Sequence, residues 1–126
     1  MGRRSTVRIT ENFQRNLDGI QAFLAQHDAR AAFDQLLADL FETIIPNLES
    51  FPEIGFDFLG RVPQSKEGRL RLERLQRRLG PSTLLRELIA GDYLILYAQR
   101  DLDVFLLAIK HHFQLSFDLK GHWGRS

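Results

Sequence analysis

The chain has 126 residues, and its 44% hydrophobic and 26% charged side chains are typical of one globular domain and exclude a disordered or fibrous chain. It has no cysteine for disulfides or thiolate chemistry, no apolar run near the ~18 residues that span a bilayer, and no secretory signal, so we expect a soluble, cytoplasmic single domain over residues 1–126. The net charge of +1 is uneven, because residues 1–60 carry five basic and nine acidic groups while residues 61–126 carry twelve and seven, which hints at a polyanionic partner for the second half.

The beginning of the sequence predicts a strand followed by two helices. Residues 6–9 alternate between apolar and polar side chains, as in a short strand. Thr10 and Asp28 are candidate N-caps, and Pro46 would kink or end the second helix. The apolar stripes comprise Phe13, Leu17, Ile20 and Leu24 in the first helix, and Phe33, Leu36, Leu37, Leu40, Phe41 and Ile44 in the second. The short linker between the stripes predicts an antiparallel helical hairpin.

The middle of the sequence predicts a loop followed by a basic helix. Residues 51–65 hold two Pro and two Gly, which indicates a loop. Its Phe51, Phe56 and Phe58 are expected to pack on a sheet, and a base-stacking platform is the alternative. Residues 69–78 repeat leucine among five arginines, which predicts an amphipathic helix, with a strand over part of it as the alternative.

The last third predicts an antiparallel meander. Three apolar runs, LLRELI, YLILYAQ and VFLLAIK, are separated by the short connections AGD and RDLD. Tyr93 and Tyr97 share a face by spacing and are expected to pack against the helices. The fold class is therefore α+β: an N-terminal strand and an antiparallel helical hairpin packed on a twisted, mainly antiparallel sheet of about four strands. Residues 113–126 are a C-terminal extension.

This order of elements, with the residues that form it, resembles the RelE/ParE superfamily of toxins from bacterial type II toxin–antitoxin pairs. The first matching piece runs from VRITENF to the exit NLESFPEIG, and the second is LLRELIAGDYLILYAQRDLDVFLLAIKHH. The resemblance covers residues 6–113. Relative to the compact members, residues 61–80 with their Arg-rich helix are an insertion.

The resemblance implies a growth-inhibiting toxin, as in plasmid stabilisation, that a cognate antitoxin binds and neutralises in a hetero-oligomer. The residues themselves include no glycine-rich phosphate loop and no ligand set at metal-binding spacing, so we expect no cofactor, no metal and no membrane partner. ParE-like members poison DNA gyrase, whereas RelE-like and YoeB-like members cleave messenger RNA on the ribosome. The nucleases usually carry an arginine directly after the meander tyrosine, where this chain has Leu94. We therefore favour gyrase, with a metal-independent endoribonuclease as the alternative and a degenerate, partner-binding member as a third hypothesis.

The resemblance also identifies candidate site residues at the end of the meander. His112 matches the catalytic position of the YoeB-like nucleases, with Lys110 and Arg86 as charge-stabilising groups. RNA cleavage by the 2′-hydroxyl needs a base, an acid and cations. His111 is a further candidate, but adjacent strand residues point to opposite faces, so His111 and His112 cannot act together. The alternatives are surface histidines, and for Arg86 an ion pair with a carboxylate.

The arginines of the predicted basic helix are candidate contacts for the antitoxin or a nucleic acid. Arginine suits carboxylate and phosphate groups because its guanidinium donates two parallel hydrogen bonds. The alternative is a solvated face of an amphipathic helix. The candidates are Arg69, Arg71, Arg74, Arg77 and Arg78.

Overall fold

The computed structural model describes residues 4–57, 70, 73, 74, 77, 78, 80 and 82–111. In chain order, the elements are β1 (Thr6–Ile9), α1 (Glu11–Gln26), α2 (Arg30–Asp39), a π-helical turn (Leu40–Ile44), α3 (Ile45–Ser50), β2 (Phe56–Asp57), β3 (Leu84–Ala90), β4 (Tyr93–Arg100) and β5 (Asp103–His111). The predicted C-terminal extension, residues 113–126, and most of the predicted insertion, residues 61–80, lie outside the described residues.

The strands form one mixed sheet in the order β1-β5-β4-β3-β2. β1 pairs in parallel with β5, and the other neighbours are antiparallel. The predicted α+β fold is confirmed, including the pairing of the first strand with the meander despite their distance in sequence. β2 adds a two-residue edge strand that is too short to leave a period in the sequence.

The helical hairpin forms as predicted, with two differences in detail. Thr10 caps α1, because its hydroxyl oxygen accepts a hydrogen bond from the Phe13 amide at 3.2 Å. Asp28 does not cap α2. Its φ of 54° puts it in the turn between the helices, and Ala29 occupies the cap position without a side-chain hydrogen bond.

Pro46 does not end the second helix, which continues to Ser50 as α3. A proline removes one backbone donor, and its ring crowds the carbonyl four residues earlier. The π-helical turn lies immediately before it, and there the amide of Ile45 donates to the carbonyl of Leu40, five residues back. The wider turn therefore precedes the proline in the same helical run.

The core lies between the helices and one face of the sheet. The predicted helical stripes supply six of its residues, although Phe41 of the second stripe is 53% exposed. The core cluster comprises Phe13, Leu17, Phe33, Leu36, Leu40, Ile44 and Leu48 from the helices, with Ile95, Tyr97, Val104, Leu106 and Ile109 from the sheet. The opposite face of the sheet is buried too, at Leu85, Leu96, Ala98 and Ala108.

Candidate functional site

The C-terminal end of β5 carries two of the predicted catalytic residues, and the sheet separates them. His111 pairs with Tyr93 and Lys110 pairs with Leu94, so the two side chains lie on opposite faces. The His111 ring meets the Tyr93 ring edge-on on the helix-covered face, with 5.5 Å between centroids. Lys110 is buried on the other face, with 8% of its surface exposed. His112, the principal candidate, lies outside the described residues.

Arg86 lies on β3 opposite Tyr97, so it shares the helix-covered face with His111. The two are far apart, since Tyr97 and Tyr93 are separated by four strand residues, about 13 Å at 3.3 Å per residue. The Arg86 Nε donates to Gln99 Oε1 at 2.9 Å, and Nη1 donates to the carbonyl of Gly55 at 3.1 Å. The expected alternative, an ion pair with a carboxylate, is replaced here by contacts to amide and backbone oxygens.

Tyr97 completes a set of contacts that the sequence did not predict. Its hydroxyl donates to the carbonyl of Pro52 at 2.7 Å and accepts a hydrogen bond from the amide of Gly55 at 2.8 Å. We call the contacts among Pro52, Gly55, Arg86, Tyr97 and Gln99 the loop latch, because they fix the loop after α3 onto the sheet. A Cβ at Gly55 would lie 2.8 Å from the Tyr97 ring and 2.9 Å from the Glu87 carbonyl, so the latch requires glycine there.

The two tyrosines pack against the helices, as predicted from their spacing. Tyr97 is fully buried within the core, and Tyr93 is partly buried against it. Burial raises the pKa of the Tyr97 hydroxyl above its ordinary value, and the Glu53 carboxylate raises that pKa further, against lowering by Gly55 and Arg86. Burial, followed by the charge of Asp92, also raises the pKa of Tyr93. At neutral pH both side chains are therefore neutral phenols.

The expectation that the loop phenylalanines pack on the sheet is wrong for Phe51 and Phe56. Their side chains are 63% and 60% exposed. The loop is instead attached through the hydrogen bonds of Tyr97 and Arg86, so its aromatic rings are not needed to anchor it. Phe58 lies outside the described residues.

The predicted basic helix is seen at its described positions. Leu70, Glu73, Arg74, Arg77 and Arg78 are all helical and exposed, in agreement with the helical rather than the strand interpretation. Exposure is what both a solvated face and a binding surface require. Arg69 and Arg71 lie outside the described residues.

The described residues provide neither a metal-binding group nor a membrane-spanning helix. Within the described ranges, no three His, Cys, Asp or Glu side chains are grouped so that they could hold a metal ion. None of the helices in that part of the chain has the length and apolar character needed to cross a membrane.

Comparison with known families places the chain. A family model described as the ParE toxin of the type II toxin–antitoxin system, parDE, matches residues 7–115. No individual curated protein matches significantly. The matched segment runs from β1 to beyond β5, and it includes the hairpin and the meander on which the resemblance to the RelE/ParE superfamily was based. The chain therefore belongs to the ParE toxin family of type II toxin–antitoxin systems.

Proposed function

We propose that this toxin inhibits growth by binding and poisoning DNA gyrase, without catalysis of its own. Membership of the ParE toxin family supports a toxin role. The observation that carries the choice of target is the separation of the candidate catalytic groups. Lys110 lies on the opposite face of the sheet from both Arg86 and His111, and Arg86 is committed to the loop latch.

Cleavage of RNA would need those groups on one phosphate. A general acid or base must come within about 3 Å of the proton it transfers, and cations must lie beside the same developing charge. The two predicted cations, Lys110 and Arg86, lie on opposite faces of the sheet and cannot contact one phosphate together, and Leu94 supplies no cation after the meander tyrosine. A poison that acts by binding needs no such convergence, so the arrangement of the described residues favours gyrase over the ribosomal alternative.

An assay with purified components separates the two targets. The toxin is added to gyrase with relaxed plasmid and ATP, and in parallel to ribosomes translating a reporter message. We expect inhibited supercoiling with accumulation of cleaved plasmid, and an intact message. Message cuts at codon spacing with normal supercoiling would support the ribosome-dependent nuclease instead. Activity in neither assay would favour a degenerate member that only binds its partner.

We also propose that a cognate antitoxin neutralises the toxin in a hetero-oligomer. Large apolar side chains stand exposed on the helical hairpin, among them Phe23 at 58% and Phe41 at 53%. Apolar anchors of this kind carry most of the affinity when a helix or extended segment binds a surface. The antitoxin should therefore bring an apolar and acidic segment. We expect the toxin in the cytoplasm, because both candidate targets, DNA gyrase and the ribosome, are there. A plasmid that carries the toxin and antitoxin genes should be stably inherited.

The exposed arginines Arg74, Arg77 and Arg78 are proposed to steer the acidic antitoxin. Charges at the edge of an interface change the association rate and its salt dependence more than the dissociation rate. Replacing all three with Gln should slow association about tenfold at low salt and flatten its salt dependence. Arg100→Gln, at an exposed arginine of β4 and not on the hairpin, is the control. Unchanged association in the triple variant would identify the arginines as a solvated face.

A further inference from the structure

β5 contains a β-bulge in the middle of its pairing with β4. Tyr97 pairs with Leu106, but its neighbour Leu96 pairs with Ala108, so Leu107 is an extra residue in β5. A bulge changes the phase of the alternation between the two faces of a strand. Even-numbered residues before Leu107, such as Leu106, and odd-numbered residues after it, such as Ile109, therefore face the same core.

Two side chains of α1 form hydrogen bonds with the backbone of β5 at the extra residue and just after it. The Asn12 side-chain amide donates to the carbonyl of Leu107 at 2.9 Å, and Asn16 Oδ1 accepts from the amide of Ile109 at 3.0 Å. The two asparagines are four residues apart, so they lie on one face of the helix. Asn12 is only 1% exposed. We call Asn12 and Asn16 the asparagine clamp.

The cap of α1 extends the same contact by one residue. The Thr10 hydroxyl donates to the carbonyl of Leu106 at 2.7 Å, and the Thr10 amide donates to that carbonyl at 3.2 Å. The start of α1 is thus bonded to the backbone of β5 at Leu106, Leu107 and Ile109. Buried backbone groups that a bulge removes from the ladder need such partners, because unpaired ones are costly.

Without the bulge, each side chain at the end of β5 would lie on the opposite face of the sheet. If the pairing of Tyr97 with Leu106 continued without an extra residue, Ala108 would replace Ile109 opposite Ile95. Lys110 would then take the place of His111 opposite Tyr93, on the face that the helices cover. The bulge therefore decides which of these two polar side chains shares a face with Tyr93.

We propose that Asn12 and Asn16 are positioning residues that keep the bulge at Leu107 and thereby assign Lys110 and His111 to their faces. Leu106, Leu107, Ala108 and Ile109 are all apolar, so their own pattern gives little information about where an extra residue lies. The asparagine clamp fixes the position of the extra residue instead, through directional hydrogen bonds from α1. The faces on which Lys110 and His111 lie do not depend on which target the toxin binds.

The test measures which side chain contacts Tyr93, by nuclear Overhauser effects in the full chain. Asn12→Asp replaces the donor to the Leu107 carbonyl with a carboxylate that repels it, and Asn16→Ala removes the acceptor for the Ile109 amide. In both variants we expect the contact between the Tyr93 and His111 rings to weaken, with a new contact between Tyr93 and the Lys110 side chain. The Ile109 amide should exchange with solvent about 100-fold faster, since it loses its partner or the bulge that presents it.

Two matched controls separate positioning from general destabilisation. Asn16→Asp keeps an acceptor for the Ile109 amide and should retain the wild-type contacts. Asn47→Asp alters an exposed asparagine of α3 and should change nothing. If Asn12→Asp does not fold, Asn16→Ala, at a half-buried position, decides the question alone. Retention of the Tyr93–His111 contact at wild-type strength in the folded clamp variants, even with lower stability, would overturn the proposal.

Discussion

The two ends of the β3–β4 hairpin use similar side chains for different purposes. At the end away from the turn, Tyr97 and Arg86 direct their hydrogen bonds inward, to Pro52, Gly55 and Gln99. At the turn end, Tyr93 is only partly buried and meets the ring of His111. The polar groups of the loop latch are therefore bonded within the chain, whereas the Tyr93 and His111 side chains at the turn end are only half-buried. An arginine near a tyrosine is not by itself a sign of catalysis, because here the pair fixes a loop.

The largest expected effect breaks the latch sterically. Gly55→Ala places a Cβ within 2.9 Å of both the Tyr97 ring and the Glu87 carbonyl, one of which is backbone and cannot turn away. Overpacking of this kind should lower the free energy of unfolding by about 3 kcal/mol. Chemical denaturation measures the loss.

Gly19→Ala is the matched control for that substitution. Gly19 lies inside α1, and nothing lies within 4 Å of an added Cβ. Because alanine favours the helix, this variant should be more stable by up to about 1 kcal/mol. Equal effects of the two substitutions would contradict the close approach of the loop to Tyr97.

A second variant removes the hydroxyl of the latch and keeps its ring. Tyr97→Phe leaves the Gly55 amide and the Pro52 carbonyl without their common partner. The free energy of unfolding should fall by about 2 kcal/mol, since buried groups lose hydrogen bonds. Tyr93→Phe is the comparison at the turn end, and it should cost less than about 1 kcal/mol. A larger cost at Tyr93 would reverse the assignment of the two ends.

A third variant tests whether Arg86 has a structural role only. Lysine cannot reproduce the two donations from Nε and Nη1, so Arg86→Lys should lower the free energy of unfolding by about 1 kcal/mol. Growth inhibition, compared at equal amounts of folded protein, should be unchanged. Arg100→Lys, an exposed position on β4, controls for the substitution itself. Loss of toxicity in folded Arg86→Lys protein would show that the latch arginine also contacts the target.

The smallest effect is the dependence of stability on alkaline pH. The pKa of Tyr97 is raised in the folded state above its ordinary value of 10.0, so the unfolded chain loses the proton first as the pH rises. The resulting stabilisation is complete below pH 10 and is lost as the pH rises through the higher folded pKa. Tyr97→Phe should therefore reduce the slope of unfolding free energy against pH above 10. An identical slope in the variant would mean that Tyr97 titrates alike in both states.

The elements that could be predicted are those whose apolar residues recur at helical spacing or form a strand-length run. The helical stripes through Phe13 and Phe33, and the three apolar runs of the meander, give their elements directly. β2 could not be predicted because two residues carry no period. The bulge at Leu107 could not be predicted, because its neighbours are all apolar and show no alternation of polar and apolar residues that an extra residue would interrupt.

The contacts of the candidate site residues could not be predicted from the sequence. The resemblance identifies Arg86 as a candidate, but its partner Gly55 lies 31 residues away in a loop that has no hydrophobic periodicity. The faces of Lys110 and His111 depend on the bulge, and the bulge is bonded to Asn12 and Asn16 on another element. Long-range hydrogen bonds of this kind leave no periodic trace in the sequence.

The most direct test of the account is the toxicity of His112→Ala, because His112 is the position at which the resemblance to the nucleases would put the catalytic proton transfer. A catalytic acid or base contributes roughly a hundred- to ten-thousand-fold in rate, so its loss would be evident in growth. The variant is expressed from an inducible promoter beside His111→Ala, with antitoxin binding measured for each to verify folding. If the toxin acts by poisoning gyrase, we expect the His112→Ala protein still to arrest growth and still to inhibit gyrase supercoiling. Loss of toxicity with intact antitoxin binding would contradict gyrase poisoning and support the ribosome-dependent nuclease.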